Sequence, residues 1–300
     1  MEHHHHAPAV GRQPEIRSLV GALLIALAIM AIELVGGALS GSLALKADAG
    51  HMLTDASALL LSLAAVWLGT RPPDVRRTFG YYRLEILAAA LNGMALLGIA
   101  AFILFEAWHR FRGHSALDAR TMLITGGAGL VANLGGFAVL WRSRSRSLNV
   151  RAALWHLAGD VASSVGVVVA AAVMAATGFY LLDPLLSAGI ALLIVYGAVR
   201  LLAEAVDVLL EAVPGHLDLG DILEHMERAE GVQAVHDLHL WTISNGMYAL
   251  SAHLVVRGHD VRQNDAILTA VKTELAKEFG IAHTTLQIES DTYRHVEEVH

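Results

Sequence analysis

HMLTD, residues 51–55, lies inside LALKADAGHMLTDASALLLSLAAVWLG (43–69), a run otherwise apolar enough to cross a bilayer. A histidine and an aspartate four residues apart share one helix face, and ionisable groups at membrane depth are functional candidates by default. Whether this run is a membrane span therefore decides both fold and function. The rest of the chain supports a span: 55% of the 300 residues are hydrophobic, 16% are charged and the mean hydropathy is +0.52. A soluble domain carries about 25% charged residues. Apolar runs recur at Leu19–Ser40, Leu43–Gly69, Leu84–Trp108, Thr121–Trp141, Leu154–Tyr180 and Leu182–Leu210. Each reaches the roughly 20 residues that a spanning helix needs, which predicts six transmembrane helices. The first run is too long for a signal peptide and lacks a small-residue cleavage pattern.

The net charge of −7 is less informative than where the cations sit. Arg12 and Arg17 precede the first span, Arg71, Arg76, Arg77 and Arg83 lie between spans two and three, and Arg142, Arg144, Arg146 and Arg151 between four and five. The opposite side carries Lys46, Arg110, Arg112 and Arg120. The positive-inside rule then puts both termini in the cytoplasm. With no cysteine in the chain, disulfides and thiolate metal sites are excluded. The His3–His6 run reads equally as an added tag or a native metal-gathering tail.

The fifth span repeats the opening motif. WHLAGD (155–160) places His156 and Asp160 four residues apart, as His51 and Asp55 are. Two helices would thus supply two imidazoles and two carboxylates, a tetrahedral set suited to Zn²⁺ or to neighbours such as Cd²⁺, Co²⁺ and Mn²⁺. One such pair alone reads equally as an interhelical hydrogen-bonding device; its recurrence favours a metal site. Asp48 shares the face of His51 and reads as a group that hydrates the approach. Glu33, Glu85, Asn92, Glu106, Asn133 and Glu204 read as interfacial anchors or hydrogen-bonding groups.

Composition shifts at Val213-Pro214-Gly215. A helical pattern over 218–229 is followed by two strand-like runs flanking Ser244-Asn245-Gly246, a strong hairpin signal. A second amphipathic helix over 263–278 and a last strand, TTLQIE (284–289), complete an αββαβ order that fits a two-layer α+β domain. The predicted organisation is a disordered tail over 1–16, a transport domain over 17–211, a cytoplasmic α+β domain over 212–293 and a tail over 294–300. A two-residue turn at Asn245-Gly246 would pair Ser244 with Met247, His236 with Val255 and His253 with Leu238. His236 and His253 would then be diagonal neighbours able to share a metal, with His283 and Glu289 from the last strand closing the site. His239 would join Trp241, Tyr248, Leu250 and Leu254 on the core face. The competing reading is a solvated polar sheet face.

ADAGHMLTDASALL (47–60), RTFGYYRLEILAA (77–89), LWHLAGDVASSVGVV (154–168) and VHDLHLW (235–241) resemble the cation diffusion facilitator family of zinc transporters, and the resemblance runs from about residue 17 to 290. It implies a transport site on His51, Asp55, His156 and Asp160. It also implies a homodimer in the cell membrane, Zn²⁺ export driven by proton antiport, and a ferredoxin-like, metallochaperone-like cytoplasmic domain at the dimer interface that holds regulatory metal. The expected partners are a second copy, the lipid bilayer, Zn²⁺ and protons, with no nucleic acid. Some members carry a further metal site between spans two and three. Here that loop reads RPPDVRRTFGYYR (71–83), with Asp74 but no histidine, so the loop site is not expected. An intramembrane metalloprotease would need a motif such as HExxH, which the chain lacks. A divalent-cation channel would favour weakly binding rings of carboxylates or carbonyls, and an exporter of organic cations would have no use for the repeated His/Asp pair. Export of Cd²⁺, Co²⁺ or Mn²⁺ stays open beside that of Zn²⁺.

Overall fold

The computed structural model describes residues 12–68, 74–113, 117–142, 148–244, 246–257 and 261–290. The His3–His6 run, the 294–300 tail, the part of the 1–16 tail before Arg12 and the middle of the Arg/Ser stretch after Trp141 lie outside them. Six long helices come first: α1 (Arg12–Ser40), α2 (Leu43–Leu68), α3 (Arg83–Arg112), α4 (Ala119–Arg142), α5 (Leu148–Thr177) and α6 (Leu182–Leu209). Five of them are long and apolar enough to cross a membrane by length and composition. The sixth, α2, is the helix that carries Lys46, Asp48, His51 and Asp55. The chain separates into two compact units, one formed by residues up to Trp67 with Leu91–Leu202, the other by Leu68–Ala90 with the chain from Ala203 onward.

In the first unit large apolar side chains face outward as well as inward, as lipid solvent allows, and a few polar groups are buried. Leu24, Ile25, Leu39, Phe102 and Leu193 are exposed, whereas Glu33, Asp48, Asn133, Asp160 and Ser164 are buried. Lipid tails are as apolar as leucine, so helix association here rests on close packing and internal polar contacts. α2 is the hub. Leu43 and Ala47 pack with α3 and α6, Ala44 and Leu45 with α4 and α5, and Met52 and Ala56 with α1. Alanines at 44, 47, 49 and 56, all buried, let the neighbours approach. On α1, a Cβ at Gly36 would collide with Thr125 of α4.

A buried carboxylate holds the start of α2. Gly41 turns the chain with φ +73, a conformation that favours glycine. Asp183, at the start of α6, then accepts hydrogen bonds from the Ser42 hydroxyl at 2.6 Å, the Leu43 N–H at 2.9 Å and the Ala44 N–H at 3.1 Å. These are the orphan donors of a helix N-terminus, where a negative charge also meets the positive end of the helix dipole. The Arg110 guanidinium, from the end of α3, lies 3.5 Å from Asp183 and donates to the Gly41 carbonyl. The helix that carries His51 is therefore tied at its N-terminus to two other helices.

The second unit contains the αββαβ order expected from the sequence: α7 (Leu219–Glu227), β1 (Val232–Ser244), β2 (Met247–Val256), α8 (Val261–Glu278) and β3 (His283–Ser290). Asp218 caps α7 by accepting from the Gly220 and Asp221 N–H groups. The sheet runs β1-β2-β3, antiparallel between the first two strands and parallel between the last two. Ile222 and Met226 of α7 and Ile267, Val271 and Leu275 of α8 cover one sheet face, burying Val235, Leu240, Leu250, Ala252, Leu254 and Val256.

The hairpin register differs from the sequence expectation. Ser244 does oppose Met247, but an extra residue in β1 next to the turn leaves Leu240 opposite Leu250 and His239 opposite Ser251. A second extra residue follows at Asp237, whose φ of +51 is left-handed, and it sets His236 directly opposite His253. A one-residue slip moves side chains to the other face. Leu240 is thus the core residue, and His239 is exposed rather than packed with Leu250 and Leu254.

Candidate metal centre

His51 and Asp55 on α2 and Asp160 on α5 each present one ligand atom, and the three atoms lie within 4.8 Å of one another. His51 Nε2 lies 3.5 Å from Asp160 Oδ1. Asp160 is buried and His51 and Asp55 are half-buried. Helical periodicity explains the convergence: positions four apart on α2 project together, and α2 and α5 share a buried cluster that includes Ala44, Leu45, Val167 and Ala171. His156 stands one turn before Asp160 on α5; its side chain lies outside the described residues. An imidazole and two carboxylates in a low-dielectric interior form a cation trap, since buried charges of one sign need a counter-charge.

Two further acids lie close to this group. Asp48 is 3% exposed and accepts a hydrogen bond from Ser163 at 2.6 Å. Glu33, read as an anchor or hydrogen-bonding group, is 1% exposed inside the bundle, with its carboxyl beside that of Asp48. The signal available in the sequence was only that one glutamate interrupts the first apolar run; which face it occupied was not legible.

In the second unit, one carboxylate receives two imidazoles. Glu289 Oε2 lies 3.1 Å from His236 Nε2, and Glu289 Oε1 lies 2.9 Å from His253 Nδ1. The two rings meet edge to face with centroids 5.1 Å apart. Glu289 is buried and accepts from the Gln287 amide at 2.9 Å, which orients it. Asp237 reaches His253 at 3.7 Å and His239 at 3.1 Å. The bulge at Asp237 builds this group by bringing His236 opposite His253. His283 pairs with Ala249 at the other end of β3 and is exposed, so it is not brought to the group. Two nitrogens and one carboxylate leave room for a fourth ligand, as open zinc sites do.

The loop before α3 engages its only described acid without a metal. Asp74 accepts from the Tyr81 hydroxyl at 2.7 Å, from the Arg76 and Arg77 N–H groups at 2.8 and 2.7 Å, and from the Arg77 guanidinium at 3.3 Å. The Tyr81 bond first, then the two backbone bonds, hold its carboxyl below the ordinary range. A depressed folded pKa means that these contacts persist above the ordinary Asp value of about 3.9 and are lost as pH falls through the lower, folded value.

A helical bundle that buries an imidazole and carboxylates, followed in the chain by a small α+β domain bearing a His/His/Glu group, defines a metal-handling membrane protein. Residues 19–210 match the family profile described as the cation efflux transmembrane domain, and residues 214–291 that of the cation efflux protein cytoplasmic domain. The chain belongs to the cation efflux family. It is 40% identical over 291 residues to the zinc transporter ZitB of Escherichia coli (strain K12), covering 95% of this chain and 92% of that one. It is 39% identical over 273 residues to the metal cation efflux system protein CzcD of Cupriavidus metallidurans, covering 91% and 86%. A cadmium, cobalt and zinc/H(+)-K(+) antiporter of Bacillus subtilis is 38% identical over 272 residues, covering 89% and 86%. Family and relatives alike are transporters, and this chain is a multi-pass membrane protein of metal cation efflux.

Proposed function

We propose that this protein exports Zn²⁺ from the cytoplasm in exchange for protons, binding the ion between His51, Asp55, His156 and Asp160. The observation that carries this reading is the convergence of His51, Asp55 and Asp160 from two helices of the bundle. Zinc as the cargo is supported by the mixed nitrogen and oxygen donors and by a relative named as a zinc transporter. The protein works as a homodimer in the cell membrane with both termini cytoplasmic, an orientation supported by the arginine-rich loops on that side.

The coupling follows from the ligands themselves. Free carboxyl and imidazole groups of this kind titrate near 3.9 and 6.5, and a metal needs both deprotonated. Zinc and protons therefore compete for the same atoms. A site that faces outward releases zinc as it takes up protons, and the protonated site returns inward. In proteoliposomes, zinc flux should rise with an imposed pH gradient of the right sign and vanish when the gradient is collapsed. Flux indifferent to the gradient would rule out antiport. Replacing an imidazole by a harder oxygen ligand should shift metal preference, so His51→Asp is expected to gain Mn²⁺ transport relative to Zn²⁺. An unchanged selectivity series would remove residue 51 from the ligand set.

The His236, His253 and Glu289 group is assigned to regulatory zinc in the cytoplasm. Metal bound there would tighten the dimer and raise transport when cytosolic zinc is high. His236→Ala with His253→Ala should lower the equilibrium zinc content by one ion per chain and weaken the dimer in sedimentation. An unchanged zinc content would leave the group as a polar sheet face.

A further inference from the structure

A second polar layer lies one helical turn from the His51, Asp55 and Asp160 group. Asp48 precedes His51 by three residues on α2, and Ser163 follows Asp160 by three on α5. Both steps lead toward the end of the bundle where α1 stops and α2, α4 and α6 begin. In that layer the Ser163 hydroxyl donates to Asp48 at 2.6 Å. Glu33 enters from α1, 1% exposed, with its carboxyl within hydrogen-bonding reach of Asp48. Neither Glu33 oxygen accepts a hydrogen bond from a described donor. Space is reserved for this group on the facing helix: a Cβ at Gly129 of α4 would stand 2.6 Å from Glu33 Oε1.

Two carboxyls facing each other in a bilayer interior call for positive charge between them. We propose that Glu33 and Asp48, with the Ser163 hydroxyl, form a second cation station, which takes the divalent ion from the His51, Asp55 and Asp160 site on its way out of the bundle. This rests on the transport reading above. An all-oxygen set suits Zn²⁺ less well than one containing imidazole, so the station holds the ion weakly and speeds release rather than capture. The transport site is thereby spared a choice between tight binding and fast exit.

The station makes a kinetic prediction that a structural role does not. In the full-length protein in proteoliposomes, Glu33→Gln and Asp48→Asn should each lower the kcat for zinc by about 10-fold or more, leaving KM and the equilibrium zinc affinity unchanged. A direct measurement uses Mn²⁺, which prefers oxygen ligands and is paramagnetic. In a protein carrying Asp55→Ala, Asp160→Ala, His236→Ala and His253→Ala, electron paramagnetic resonance should find one Mn²⁺ bound per chain, and adding Glu33→Gln should abolish it. A wild-type kcat in Glu33→Gln, a parallel loss of zinc affinity and flux, or Mn²⁺ binding that survives the substitution would each overturn the station. Should Glu33→Gln fail to fold, Asp48→Asn carries the same test. If His51→Ala alone transports zinc normally, the transport reading itself has failed; if His51→Ala is inactive and Glu33→Gln is not, only the station has.

Discussion

Asp160→Asn is expected to reduce zinc transport to background while leaving the protein folded. Asparagine keeps the shape of the side chain and one acceptor oxygen, but removes the charge that a divalent ion needs in a dry site. Substitutions one shell away from a metal cost about 10–100-fold in affinity or activity, and Asp160 is placed to touch the ion, so the loss should exceed about 100-fold. Stability should not fall, because Asp160 is buried beside Asp55 and losing one of two neighbouring buried carboxylates relieves repulsion when no metal is bound. Asp55→Ala should be equally inactive. Radiolabelled zinc uptake into proteoliposomes, read beside thermal unfolding of the same preparation, separates the two effects. Measurable transport by Asp160→Asn would remove this residue from the site.

Asp183→Ala is expected to produce the largest loss of stability, about 3–5 kcal/mol, the range found when one partner of a buried ion pair is removed. Asp183 is 1% exposed and takes three hydrogen bonds from Ser42, Leu43 and Ala44. Its removal strands the Ser42 hydroxyl, two helix-terminal N–H groups and the Arg110 charge, each at a cost. α2 would then lose its fixed start, about two turns from His51, so transport should fall with stability. Asp183→Asn keeps acceptors for the same donors and should lose less. Denaturant titration in detergent reads the order. A shift below about 1 kcal/mol, the scale of an exposed pair, would mean that Arg110 and the α2 terminus find other partners.

Much of this protein was legible in one dimension because its strongest constraints are local. Spans are runs of about 20 apolar residues, and the i, i+4 spacing in HMLTD and WHLAGD alone puts each His/Asp pair on one helix face. Neither statement depends on how helices pack. The αββαβ order was likewise visible, since turn residues and amphipathic periods are local signals.

What stayed hidden depends on single-residue shifts or on partners distant in sequence. Counting back from Asn245-Gly246 gave a diagonal His236 and His253 because a hairpin with no insertions was assumed. Two residues inserted in β1, one next to the turn and the left-handed Asp237, are what set the two histidines face to face with Glu289 between them. Nothing in VHDLHLW marks Asp237 as the bulge. Glu33 and Asp48 lie on different helices, and hydropathy does not record which face of α1 turns inward. Nor does any pattern tie Asp183 to Ser42, 141 residues apart. By itself the sequence determined the membrane helices, the small C-terminal domain and the paired His/Asp faces, all products of periodicity within one element. Only the tertiary structure decided which faces meet, because helix rotation, strand register and long-range capping are set by packing between elements.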